Sequence, residues 1–111
     1  AITALLSIAG LDATAFTFIG FLPHKKGRQT AISGIAESAY PVVLYESPHR
    51  IVKLLTEVAK VMPKAQVTIG RELTKMHEEV LQGAPKDLAQ ILEKKKTARG
   101  EFVVVIEPAR R

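Results

Sequence analysis

The sequence has no cysteine, which excludes a disulfide framework and any thiolate-held metal. Aromatics are few, 2 Tyr and 4 Phe; they read as core residues, and no strand shows the aromatic pattern of a base-stacking RNA module. Three histidines, His24, His49 and His77, lie far apart without ligand spacing. His77-Glu78-Glu79 lacks a second histidine one helical turn on, so no metal site is expected. No apolar run approaches the roughly 18–20 residues that cross a bilayer, and no membrane association is expected. Ala1-Ile2-Thr3-Ala4-Leu5-Leu6 lacks the charged start of a signal peptide. With no initiator Met, and opening inside an apolar helical pattern, the chain is expected to begin within a larger protein. No Gly-x-Gly-x-x-Gly element occurs either.

What is present fits one compact domain. The 111 residues are 47% hydrophobic, enough for a core, and 16 Lys plus Arg against 11 Asp plus Glu leave a net charge of +5. That excess favours an anionic partner without choosing among RNA, an acidic membrane surface and a polycarboxylate. A protein that is merely basic satisfies the same count.

Residues 2–9, apolar and stopped by Gly10, predict a brief helix. Phe16 to Phe21 reads as a strand ended by Pro23, followed by the basic loop His24-Lys25-Lys26-Gly27-Arg28 and a modest helix from Gln29 to Ala39. Pro41 to Glu46 is a continuous apolar run suited to a strand buried on both faces. Ser47 then reads as an N-cap and Pro48 as the first helical residue. Ile51, Leu54, Leu55, Val58 and Met62 draw one helical stripe that Pro63 ends. Residues 66–71 and 79–83 read as neighbouring strands. Pro85 to Lys95 reads as a helix with Leu88, Ile91 and Leu92 inward, its terminal lysines complementing the helix dipole. Phe102 to Ile106 forms a last strand. The expected fold is α/β: one domain around a mixed, roughly five-stranded sheet flanked by helices.

In open α/β sheets, ligands collect beyond the carboxyl ends of strands. Tyr45 and Glu46 end the apolar strand, and the next helix turns its free N–H groups outward beside them. Ser47 and Pro48 are explained by capping, whereas Glu46 and Arg50 are not needed to make the helix and are read as site residues. In the basic loop, His24, Lys25, Lys26 and Arg28 can follow a phosphate backbone; the alternative is a solvated charge run.

Tyr45-Glu46-Ser47-Pro48-His49-Arg50, Arg71-Glu72-Leu73-Thr74-Lys75 and His77-Glu78-Glu79 together resemble the ribosomal RNA small subunit methyltransferase I family, within the tetrapyrrole-methylase-like S-adenosylmethionine enzymes. Phe16-Thr17-Phe18, Gly20-Phe21-Leu22-Pro23 with Lys25-Lys26-Gly27-Arg28, and Gly100-Glu101-Phe102-Val103-Val104-Val105 resemble it in the same order. The resemblance implies two α/β halves with S-adenosyl-L-methionine in the cleft between them. The glycine-rich elements of the N-terminal half are missing, so residues 1–111 are expected to form the C-terminal subdomain and to be inactive alone. It further implies a cytoplasmic enzyme that 2′-O-methylates a cytidine ribose in 16S rRNA, acting on small-subunit rRNA or the assembled small ribosomal subunit, as a homodimer.

By the same resemblance, Tyr45, Glu46, Arg71, Glu72 and Leu73 line the cofactor cleft, Lys75 and Arg50 lie on its RNA side, and backbone at Gly100-Glu101 approaches the adenine. Ala1 and Ala4 belong to a helix against that ring. Read locally, Arg71, Glu72 and Lys75 are equally a solvated turn with an ion pair, Gly100 a helix end, and the alanines core. Methyl transfer to a ribose hydroxyl is an in-line displacement that needs orientation and removal of a proton. Glu46 and His49 are the candidate bases, and no metal is required. A tetrapyrrole or other small-molecule methyltransferase, and a non-enzymatic RNA-binding module, remain alternatives.

Overall fold

Val42, Val43 and Leu44 are shielded on both faces of β2 (Val42–Glu46), and a strand so enclosed needs a ladder on each edge to pair its backbone. In the computed structural model, which describes residues 15–74, 77–95 and 100–108, both ladders are present. β1 (Thr17–Phe21) pairs with β2 in parallel, and β5 (Phe102–Glu107) pairs with it antiparallel. β5 continues antiparallel to β3 (Gln66–Thr74), which forms a hairpin with β4 (His77–Gly83). The order β1-β2-β5-β3-β4 is the mixed five-stranded sheet expected. The helix expected over 2–9, with Ala1 and Ala4, lies outside the described residues, as does Lys75. β3 and β4 run beyond the stretches 66–71 and 79–83, pairing Glu72 with Glu78 and Thr74 with His77. Ladder bonding continues there past the apolar residues that signal a strand.

Three helices are described: α1 (Arg28–Ala36), α2 (Ile51–Val61) and α3 (Pro85–Lys95). Their buried side chains join Val42, Leu44, Val67, Ile69, Val104 and Ile106 in one core, so all three cover one sheet face. The stripe Ile51, Leu54, Leu55, Val58 is almost wholly buried, each side chain worth about 1.5–3 kcal/mol. Met62 N–H still reaches Val58 O at 2.8 Å before Pro63, which has no donor, ends the run.

Three helix details differ from expectation. Arg50, not Ser47, is the N-cap of α2, with no side-chain cap. The Ser47 N–H is held by the Glu46 carboxylate at 2.9 Å, and its carbonyl closes the turn by accepting the N–H groups of Arg50 and Ile51 at 3.1 and 3.0 Å. In α3 the buried face is Pro85, Leu88, Ala89 and Leu92, while Ile91 is 40% exposed. At 100° per residue, that stripe centres between Leu88 and Ala89 and turns Ile91 to solvent. α1 is also shorter than the expected Gln29–Ala39. Gly27 at φ +83° is its N-cap and Glu37 its C-cap.

Strand polarity assembles the site. The carboxyl ends of β1, β2 and β3 and the amino ends of β4 and β5 reach the same edge of the sheet. There the β1–α1 loop, the β2–α2 turn, the far end of the β3–β4 hairpin and Gly100-Glu101 come together.

Candidate functional site at the carboxyl end of the sheet

Alternation along β2 sends its last two side chains to opposite faces. Glu46 turns to the helix-bearing face and is buried at 4% exposure. Tyr45 turns to the other, where its ring meets Phe18 at 5.4 Å and Phe21 at 5.6 Å between centroids. Tyr45 and Glu46, adjacent in sequence and expected in one cleft, therefore line different surfaces.

On the helix face, register aligns Glu46 with Phe102, and β3 brings Arg71 beside that ring and opposite Glu79 on β4. The Arg71 guanidinium lies 5.0 Å from the Phe102 centroid, a cation–π distance, and bonds Glu79 at 3.0 Å. Glu79 also pairs with Lys95 at the end of α3. Acid, aromatic, base and acid thus follow one another across four strands.

Arg28 requires a correction. Expected among the RNA-facing cations, it is instead buried at 4% exposure. Its Nε donates to both Glu57 oxygens at 3.0 and 3.1 Å, and Nη2 donates to Oε1 at 2.8 Å. Nη1 donates to Pro23 O at 3.0 Å, and Nη2 lies 3.8 Å from Glu46 Oε2. The hydrogen bonds to Glu57 raise its pKa above the ordinary guanidinium value, against the opposing effect of burial. The reason for the inversion is α1: as its first residue, Arg28 faces α2 rather than the loop surface. His24, Lys25 and Lys26 do remain exposed, on a loop whose carbonyl at Pro23 Arg28 holds.

Both Glu46 oxygens have neighbours, Oε1 accepting the Ser47 N–H at 2.9 Å and Oε2 lying 3.8 Å from the Arg28 guanidinium. His49, on the turn before α2, is exposed; Arg50 beside it is half-buried. Gly100 and Glu101 are exposed, with Gly100 at φ +76°. Glu72 and Leu73 occupy the far end of β3, where the ladder shifts register between Glu72 and Thr74. Glu57, Glu79 and Phe102 were not among the residues expected at the site. Glu57 alone carried a usable signal, as the one acid in a helix whose other charges are lysines. Among the described residues no cluster of His, Cys, Asp or Glu could hold a metal, and no helix is long and apolar enough to cross a membrane.

Comparison with known proteins places this arrangement. No family model matches the chain. The ribosomal RNA small subunit methyltransferase I of Neisseria meningitidis serogroup B is 36% identical over 111 residues, spanning 98% of this chain and 38% of its own length. That of Hydrogenobaculum sp. is 39% identical over 105 residues, 95% of this chain and 45% of the relative. That of Thermotoga maritima is 32% identical over 106 residues, 96% and 47% respectively. The chain is homologous to a C-terminal portion of ribosomal RNA small subunit methyltransferase I. It spans less than half the length of these relatives.

Solved structures agree on the fold. The methyltransferase CobJ superposes with a TM-score of 0.67 at 18% identity, over 100% of this chain and 49% of that one. The cobalt precorrin-4 methyltransferase CbiF gives 0.64 at 12% identity, over 94% and 47%. Uroporphyrin-III C-methyl transferase from Thermus thermophilus, complexed with S-adenyl homocysteine, gives 0.58 at 16% identity, over 94% and 48%. Like the ribosomal RNA small subunit methyltransferase I relatives, each of these chains is about twice as long as the matched portion or longer.

Proposed function

We propose that residues 1–111 form the C-terminal subdomain of an S-adenosylmethionine-dependent enzyme that 2′-O-methylates a cytidine ribose in small-subunit rRNA. The observation that carries this reading is identity of 32–39% to ribosomal RNA small subunit methyltransferases I across 95–98% of the chain. The exposed cations of the β1–α1 loop support it, since phosphate contacts need cations free of protein partners. Among cofactor neighbours, the Gly100-Glu101 backbone fits the role best. It is exposed at the converging edge, where a glycine at positive φ brings main chain close to a flat ring. Glu72 and Leu73 are proposed beside it, with Arg71 and Glu46 acting from behind as a buried support.

The cofactor supplies the methyl group. This chain's residues supply orientation: Lys25 and Lys26 bind phosphate, Arg28 holds the loop that carries them, and Glu46 fixes the turn that presents His49. His49, exposed on that turn, is the candidate acceptor of the hydroxyl proton. Placing the hydroxyl in line with the transferred methyl group is worth several kcal/mol of barrier, about 7–11 at best, and that needs both walls of a cleft. The test is methyl incorporation from labelled cofactor into small-subunit RNA and into assembled subunits. The full-length protein is expected to turn over and the isolated chain to be silent. Robust turnover by the isolated chain, or none by the full-length protein on either RNA substrate, would overturn the reading.

A further inference from the structure

Three neighbouring aromatic side chains remain outside the core and outside the buried support. Phe18 and Phe21 are 50% and 52% exposed, and each packs edge-on or tilted against the half-buried Tyr45, at interplanar angles of 74° and 54°. A single exposed phenylalanine means little, but a contiguous aromatic patch does. Regular alternation would send residues 18 and 21 to opposite faces. A bulge prevents that. The ladder skips Ile19, so Phe18 pairs with Val43 and Phe21 with Tyr45, two positions apart on β2 and on the same face. Gly20, at φ +81°, supplies the left-handed conformation the irregularity requires.

We propose that Phe18, Phe21 and Tyr45 form a stacking surface for unpaired bases of the RNA whose phosphates bind the adjoining basic loop. The inference rests on the proposed function and specifies which form of RNA that site takes. Three observations favour it. First, the patch runs directly into the loop: Phe21 is three residues from His24, and His24, Lys25 and Lys26 are exposed. Second, no Asp or Glu occurs between Asp12 and Glu37, so an anion lying along β1 and its loop meets no repelling carboxylate from that segment. Third, none of the three rings is stacked parallel on another, so base faces can approach them. Aromatic surfaces beside a cationic track are how proteins hold single strands, because only unstacked bases offer a free face. A protein-docking patch would account for the rings but leave the adjoining exposed cations without a part, whereas a single strand engages both.

The experiment uses the full-length protein and an RNA oligonucleotide carrying a fluorescent adenine analogue, single-stranded or annealed to its complement. Phe18→Leu and Phe21→Leu together keep apolar bulk and remove the rings. The expected result is a loss of single-strand affinity of about tenfold or more, loss of the fluorescence quench that reports stacking, and an unchanged slope of affinity against salt. Duplex affinity should stay as it was. Unchanged single-strand affinity and quench would overturn the proposal. So would an equal loss on duplex, or a lowered melting temperature with RNA binding intact, which would make the patch a docking face for the rest of the protein. If the unmodified full-length protein binds neither RNA, the functional reading itself fails and this proposal with it.

Discussion

Arg28 and Glu57, 29 residues apart, meet through three hydrogen bonds of 2.8, 3.0 and 3.1 Å, joining the start of α1 to the middle of α2. The same guanidinium holds the Pro23 carbonyl and neighbours Glu46. One buried cation thereby ties the basic loop, the end of β2 and α2 into a single unit.

Breaking that unit is expected to be costly. Arg28→Ala leaves Glu46 buried and Glu57 largely so without their cation, a loss of about 3 kcal/mol, read as a lower urea midpoint. Arg28→Lys keeps the charge but not the two-pronged geometry, and should recover only part. Because the folded-state pKa of Arg28 is raised, its stabilisation is fully present below the ordinary arginine pKa and is lost only as pH rises through the raised value. The Arg28→Ala penalty should therefore be flat between about pH 6 and pH 10. A penalty that fades within that window would contradict the assignment.

Lys25→Ala with Lys26→Ala should weaken RNA binding by the full-length protein and flatten its salt dependence, by about 0.7 in slope for each phosphate no longer neutralised. Melting temperature should hardly change, since both side chains are exposed. Arg28→Ala should show the opposite balance, with stability falling more than the salt slope. Equal slope changes for the three cations would mean that Arg28 reaches the RNA after all.

In α3, Leu92→Ala is expected to cost about 2–4 kcal/mol and Ile91→Ala less than about 1, although the two are neighbours. Leu92 is 5% exposed and Ile91 is 40%. Denaturation of both variants would show which phase of the helix faces the core.

Gly20→Ala should destabilise by about 1–2 kcal/mol from backbone strain alone. A Cβ there would meet Phe18 only at an ordinary 3.9 Å, so crowding is not the cause. The variant should also lower single-strand RNA affinity if Phe21 turns away from Tyr45, which the quench assay reads directly.

Local patterns sufficed for β2, β5 and α2. Val42 to Leu44 and Phe102 to Ile106 are uninterrupted apolar runs, and the stripe from Ile51 to Val58 repeats at the helical period. Such signals lie within one element, so a single sequence carries them. The strand pairing brings Glu46, Arg71 and Gly100-Glu101 to one end of the sheet, a gathering that the family resemblance implied and that no pattern within a single segment contains. What those residues do there could not be read. His24, Lys25, Lys26 and Arg28 look alike along the chain, and only packing against Glu57, in another helix, makes one of them interior. Phe18 and Phe21 look like core residues until the bulge at Ile19–Gly20 sets both on one exposed face. Periodicity comes from the geometry of one segment and is written locally. The fate of a charge or a ring depends on which distant partner reaches it first, and that is decided only when the elements pack.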